Sequence, residues 1–176
     1  MFGWIFGKRN SSRQKSEPAR SYGIPTVKLN QAWWTDTVKA DLRKNIAALE
    51  NIPPGSVDAI NEAALSAFRY GFDLQSLSQA FQAHGINRKR AREIALNLSS
   101  KTDSLMWAEH YERTGTKEAI WLYSGAPCKH DDDLHKAANR KRYDASKGLF
   151  LNGKWTLPGY EDGCKCVGKP VVKGFS

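Results

Sequence analysis

Leu105-Met-Trp-Ala-Glu-His-Tyr-Glu-Arg-Thr-Gly115-Thr-Lys-Glu-Ala-Ile-Trp-Leu-Tyr-Ser124 is where the chain changes its grammar. Before Gly115 the apolar residues recur at helical spacing. After it, Ala119-Ile-Trp-Leu-Tyr-Ser124 is rich in aromatic and β-branched residues and too short for a helix, so it predicts a strand. Toward the N-terminus, Val38, Leu42, Ile46 and Leu49 form a helical stripe from Thr35 that Pro53-Pro54 stops. Ser56 is placed to cap a second helix with Val57, Ile60, Ala64 and Phe68 on one face and Gly71 at its left-handed end. Asp73 predicts the cap of a third helix bearing Leu74, Leu77 and Phe81. Asn87 predicts the cap of a long fourth, carrying Ala91, Ile94, Ala95, Leu98 and Leu105 toward Gly115. Four amphipathic helices with short connections predict a small bundle. Toward the C-terminus, Leu149-Phe-Leu, Asn152-Gly153 and Lys154-Trp-Thr-Leu157 predict a hairpin, because Asn-Gly accepts the positive φ angles of a type I′ turn. Pro158-Gly159 closes it, and Cys164 to Val172 supplies another short strand. The expected fold class is α+β: a helical bundle, then a small loop-rich antiparallel β unit. The expected division is a basic disordered arm over 1–24, a helical region over 25–115 and a Cys/His-containing β unit over 116–176.

With 40% hydrophobic residues among 176, the chain has material for a core. Lys and Arg outnumber Asp and Glu by 27 to 18, and the resulting +9 attracts polyanions, nucleic acid or an acidic protein surface. Three cysteines are too few and too odd in number for a secreted disulfide scaffold, which places the chain in a reducing cytoplasm. The opening Met1-Phe-Gly-Trp-Ile-Phe-Gly7 is apolar, but its charges, Lys8 and Arg9, follow the apolar run, the reverse of a secretory signal. Nothing approaches the roughly 20 apolar residues of a membrane span. Phe2, Trp4, Ile5 and Phe6, separated from any core by a polar basic stretch, are expected to dock on a partner.

The strongest chemical constellation is Cys128-Lys-His130, His135 and Cys164-Lys-Cys166. Zinc prefers thiolate and imidazole, and two short chelating pairs on either side of a hairpin complete a tetrahedral site in a unit with little core of its own. His130 is the substitute for His135 in that set. The alternative is a reduced, partly buried cysteine pair facing one side of a strand. His130-Asp-Asp-Asp-Leu-His135 with Asn139 invites a comparison with metal-dependent nucleases, but no histidine follows His135, so their second metal-binding imidazole is missing. The acidic run then reads as a solvated turn, and no catalytic residue is assigned. Arg88, Lys89, Arg90 and Arg92 crowd the start of the fourth helix, where the helix dipole disfavours cations by about 0.3–1 kcal/mol each. Two readings stand: DNA phosphates bound in a helix-turn-helix, or a basic corner of a packed bundle.

Gly85-Ile-Asn-Arg-Lys-Arg-Ala-Arg-Glu-Ile-Ala95, Glu118-Ala-Ile-Trp121, His135-Lys-Ala-Ala-Asn139, Lys147-Gly148, Lys154-Trp-Thr-Leu-Pro-Gly159 and Cys164-Lys-Cys166, in this order, resemble the phage head morphogenesis family. These are the Mu F-like minor head proteins, and the resemblance covers about residues 58–172. It departs from the family at Arg140, where glycine usually follows the Asn, and at Lys165, where arginine is commoner. The resemblance implies a structural component of the virion or procapsid, made in the host cytoplasm. Such a protein would contact portal or capsid proteins and packaged DNA, without an established catalytic activity. The other expectations carried forward are a stand-alone basic DNA-binding protein and, behind it, a metal-dependent nuclease or effector.

Overall fold

The computed structural model describes residues 31–129 and 132–172. The expected arm over 1–24, with Phe2, Trp4, Ile5 and Phe6, and also His130, lie outside the described residues.

The fold is α+β. Helix α1 (Asp36–Ala47) starts where the Thr35 side chain accepts the Val38 N–H, and it buries Val38, Leu42 and Ile46. A 3-10 turn over Pro54–Ser56 runs directly into α2 (Val57–Arg69). Ser56 therefore sits in a helical conformation and its side chain makes no capping bond, contrary to its expected role. Helix α3 (Leu74–Ala83) begins at Asp73, whose carboxylate accepts the Gln75 and Ser76 N–H groups. Helix α4 (Arg88–Thr114) begins at Asn87, which accepts the Arg90 N–H, and ends at Gly115 with φ 74, the left-handed position that glycine takes without steric cost.

Helix α4 has 27 residues, about 40 Å at 1.5 Å per residue. Its first half contributes Ala91, Ile94, Ala95 and Leu98 to the bundle core around Phe68, Leu77 and Phe81. In its second half the buried line runs through Thr102, Met106 and Tyr111. Leu105, expected on the buried stripe, is half-exposed, because the helix face there turns from the bundle toward the β unit.

That unit begins with β1 (Glu118–Leu122), which alternates exposed Glu118 with buried Ala119 and Trp121. It is the centre of a three-stranded antiparallel sheet in the order β2-β1-β5. Strand β2 (Arg142–Asp144) pairs through Ala119↔Tyr143, and β5 (Val167–Pro170) through Trp121↔Gly168. A Cβ on Gly168 would lie 2.1 Å from the Tyr143 hydroxyl, so the sheet closes there on a residue without a side chain. The hairpin of β3 (Leu149–Leu151) and β4 (Lys154–Thr156) forms as expected around Asn152 (φ 49) and Gly153 (φ 77). Cys164 and Cys166 precede β5 and do not lie in a strand. The acidic run is not simply a turn: Asp132–Ala137 forms a short helix, α5, that buries His135.

The two cores are joined by more than α4. The Tyr160 hydroxyl donates to Asp41 of α1 at 2.7 Å, Lys101 pairs with Asp162 at 2.8 Å, and the Ser104 hydroxyl donates to the Pro158 carbonyl at 2.7 Å. No helix among the described residues is long and apolar enough to cross a membrane.

Candidate metal centre

Four of the expected ligands meet. The pairing of β1 with β5 places Leu122 opposite Val167, so the loop after β1 and the residues before β5 leave the sheet side by side. Cys128 lies in that loop, Cys164 and Cys166 lie just before β5, and α5 carries His135 between them. All four are buried, with ligand atoms within 4.8 Å of one another. His135 Nδ1 is 3.2 Å from the Cys128 sulfur, 3.3 Å from that of Cys164 and 3.9 Å from that of Cys166. With metal–sulfur bonds of about 2.3 Å and metal–nitrogen bonds of about 2.0 Å, a tetrahedral zinc requires N···S edges of about 3.6 Å and S···S edges of about 3.8 Å. The observed edges bracket the first value, and the longest separation closes to the second by a shift of about 1 Å. The group can hold a metal such as zinc.

The surroundings hold the ligands in place. Asp132 accepts the Cys128 N–H at 2.8 Å and the Tyr123 hydroxyl at 2.7 Å, tying the loop into a ring that presents the Cys128 sulfur inward. These two bonds, the Cys128 N–H foremost, hold the Asp132 carboxyl below its ordinary range. The Trp121 ring packs edge-on against His135 at 5.1 Å and fixes the imidazole plane. Asn139 Oδ1 accepts the Tyr123 N–H at 3.0 Å, fastening the end of α5 to the start of the loop. Arg140 follows with φ 67, a conformation that favours glycine, and its N–H donates to the Trp121 carbonyl at 2.7 Å.

Cys164 is the most thiolate-like sulfur. The hydrogen bond from the Cys166 thiol lowers its pKa against the opposing effect of burial. The Gly159 and Cys166 N–H groups, at 3.3 and 3.4 Å, add to that lowering. Cys128 is pushed up chiefly by burial, and Cys166 chiefly because it donates to Cys164. Backbone N–H groups aimed at a sulfur suit a metal thiolate, which keeps negative charge after coordination. Nδ1 of His135 faces the sulfurs, while its Nε2 is buried without a hydrogen-bond partner among the described residues. Three sulfurs and one nitrogen fill a tetrahedron, the arrangement of a structural site rather than of one that keeps a position open for water.

The basic cluster is arranged differently. Arg88, Lys89 and Arg92 are exposed, while Arg90 is half-buried and leans toward Glu93 at 3.6 Å. Arg88 and Arg92, one turn apart, border a hollow lined on the α3 side by Gln75, Gln79 and Gln82. The Arg90 N–H is taken by Asn87, the expected cap, and is not free for an anion.

The roles of Asp132, Trp121 and Gly159 around the cluster were not visible in the sequence. An acidic triplet carries no sign of which carboxylate will accept a cysteine N–H four residues earlier, and the Gly159 N–H reaches its sulfur only after the chain has turned at Pro158. No family model, curated protein or solved structure matches the chain.

Proposed function

We propose that this chain is a structural phage protein, a minor head or head morphogenesis protein whose C-terminal unit is held together by zinc. It would act in head assembly near the portal or in handling packaged DNA. One observation carries the reading: the C-terminal residues among those that resemble the family form a single constellation. His135, Cys164 and Cys166 share the cluster, Asn139 fastens the loop that leads to Cys128, and Gly159 donates to Cys164. Motifs that are dispersed in sequence and interlocked in space support one inherited unit better than coincidence. A closed four-ligand set favours a scaffold over a nuclease, since hydrolysis needs a metal position open to water. The test is sedimentation of particles from cells that produce the full chain together with portal and capsid proteins. The protein should travel with procapsids or portal complexes, and its loss should lower the yield of infectious particles. A chain that never associates with either removes this reading.

The exposed Arg88, Lys89 and Arg92 favour one second reading, a basic protein that binds duplex DNA on its own. Replacing them by Ala should flatten the salt dependence of duplex binding, because fewer counterions are released per complex. Unchanged binding at every salt concentration assigns those charges to another role.

A further inference from the structure

The hairpin carries two large rings that belong to neither core. Phe150 and Trp155 are 59% and 58% exposed, stand opposite each other across the β3–β4 ladder, and meet edge to face at 5.6 Å. Their carrier is rigid. The Asn152-Gly153 turn fixes one end, and at the other Gly148 lies so close to β4 that a Cβ would fall 1.9 Å from the Thr156 carbonyl oxygen. An isolated bridge from Asp144 to Gly148 ties the base of the hairpin to β2.

The free charge around this face is positive. Glu118 is paired with Arg142 and Glu161 with Lys154, and the ionised Asp144, which accepts the Ser146 and Lys147 N–H groups and feels the Lys147 charge, offsets one of the remaining cations. Arg140, Lys141 and Lys147 are exposed and form no ion pair among the described residues. Lys147 stands at the foot of the hairpin, while Arg140 and Lys141 lie at the far end of β2, about 10 Å along the strand. Two protruding rings, with Lys147 at their foot and Arg140 and Lys141 farther along the neighbouring strand to leave a net positive charge, match the requirements of a single nucleic-acid strand, whose bases need π-faces and whose phosphates need charge. A duplex keeps its base faces stacked and has none to offer. A protein partner would need about 800 Å² on this side, whereas two rings that are 59% and 58% exposed supply at most about 300 Å².

We propose that the Phe150–Trp155 face of the hairpin is a stacking platform for single-stranded nucleic acid, with Arg140, Lys141 and Lys147 along the path of its phosphates. This stands apart from the head-assembly reading and is measured on the isolated full-length chain. The probe is a fluorescently labelled oligo-dT of about 15 nucleotides, followed by anisotropy over a range of salt, with a duplex of the same length as comparison. Phe150→Ala with Trp155→Ala should weaken oligo-dT binding about fivefold or more per ring and leave the salt slope intact. Changing Arg140, Lys141 and Lys147 to Ala should flatten that slope. Trp155→Phe, which keeps a π-face, should retain affinity, and Phe150→Leu with Trp155→Leu, which keeps apolar bulk without one, should not. These last two read the same contact should the double Ala variant fold poorly. Oligo-dT bound equally by the parent and the ring-deleted variants overturns the proposal. So does full affinity in the double Leu variant, which would assign the face to apolar docking on a protein. Duplex binding as strong as that of oligo-dT, and equally dependent on the rings, also overturns it.

Discussion

Removing metal from the Cys128–His135–Cys164–Cys166 cluster is the perturbation with the largest expected effect. The four residues link the loop after β1, α5 and the approach to β5, and the core they belong to otherwise rests on a short list of buried side chains, chiefly Tyr111, Trp121 and Tyr143. A ligand that binds the folded state at a free concentration about a thousandfold above its Kd adds about 4 kcal/mol to stability. For a chain of 176 residues, each kcal/mol moves the melting temperature by about 2–4 °C, so chelation should lower it by about 8–16 °C. Thermal melts followed by near-UV circular dichroism, in which Trp121 against His135 reports directly on the site, give the measurement. His135→Ala should abolish the metal-dependent part of the shift, and His135→Cys, which restores four ligands, should recover it. Cobalt substitution should give the absorption of a tetrahedral thiolate complex. Protein that purifies without metal, melts at one temperature with zinc or with chelator and gives no such cobalt spectrum would refute the reasoning.

The remaining predictions concern the frame around the site. Asp73→Ala should cost about 1 kcal/mol at neutral pH by urea denaturation. The Ser76 hydroxyl and N–H lower the Asp73 pKa in the folded state below its ordinary 3.8, so its contribution is complete above that value and fades as pH falls through the folded-state value. The gap between variant and parent should therefore close in strong acid. Gly148→Ala should cost about 2 kcal/mol or more, because the residue holds φ 88 and the new methyl would meet the Thr156 carbonyl at 1.9 Å. Gly55→Ala, with nothing within 4 Å of the added carbon, should shift the melting temperature little and serves as its control. Arg140→Gly should stabilise by roughly 0.5 kcal/mol: relief of a left-handed side chain at φ 67 outweighs the greater freedom of glycine in the unfolded chain. A lower melting temperature would show that the Arg140 side chain makes a compensating contact.

Elements decided by neighbours in sequence were legible, and those decided across the fold were not. Asp73, Asn87 and Gly115 signal helix ends through bonds and backbone angles within three or four residues, and Asn152-Gly153 forms its hairpin just as locally. Ser56 misled because a residue with capping chemistry is overridden when a 3-10 turn already delivers the chain in helical conformation. Strand β2 has three residues and one buried side chain, Tyr143, too short a span for alternation to appear. It exists because Glu118–Ile120 offers it a partner. Helix α5 was hidden for a related reason. An acidic run reads as solvated until Asp132 finds the Cys128 N–H and His135 is covered by Trp121. The candidate ligands were readable by residue type, since cysteine and histidine announce themselves. The bonds that aim them come from Gly159, Asp132 and Asn139, and these depend on long-range closure that no local pattern encodes.

The length of α4 has a mechanical consequence. A single uninterrupted helix enters both cores, with Leu98 in one and Tyr111 in the other. The bundle and the β unit are therefore not beads on a string but two weights on one rod. The Tyr160–Asp41 and Lys101–Asp162 contacts brace that rod from the side. Through the Ser104–Pro158 bond, the turn that closes the hairpin is fastened directly to this rod, so one unbroken helix axis links that turn to the far end of the bundle.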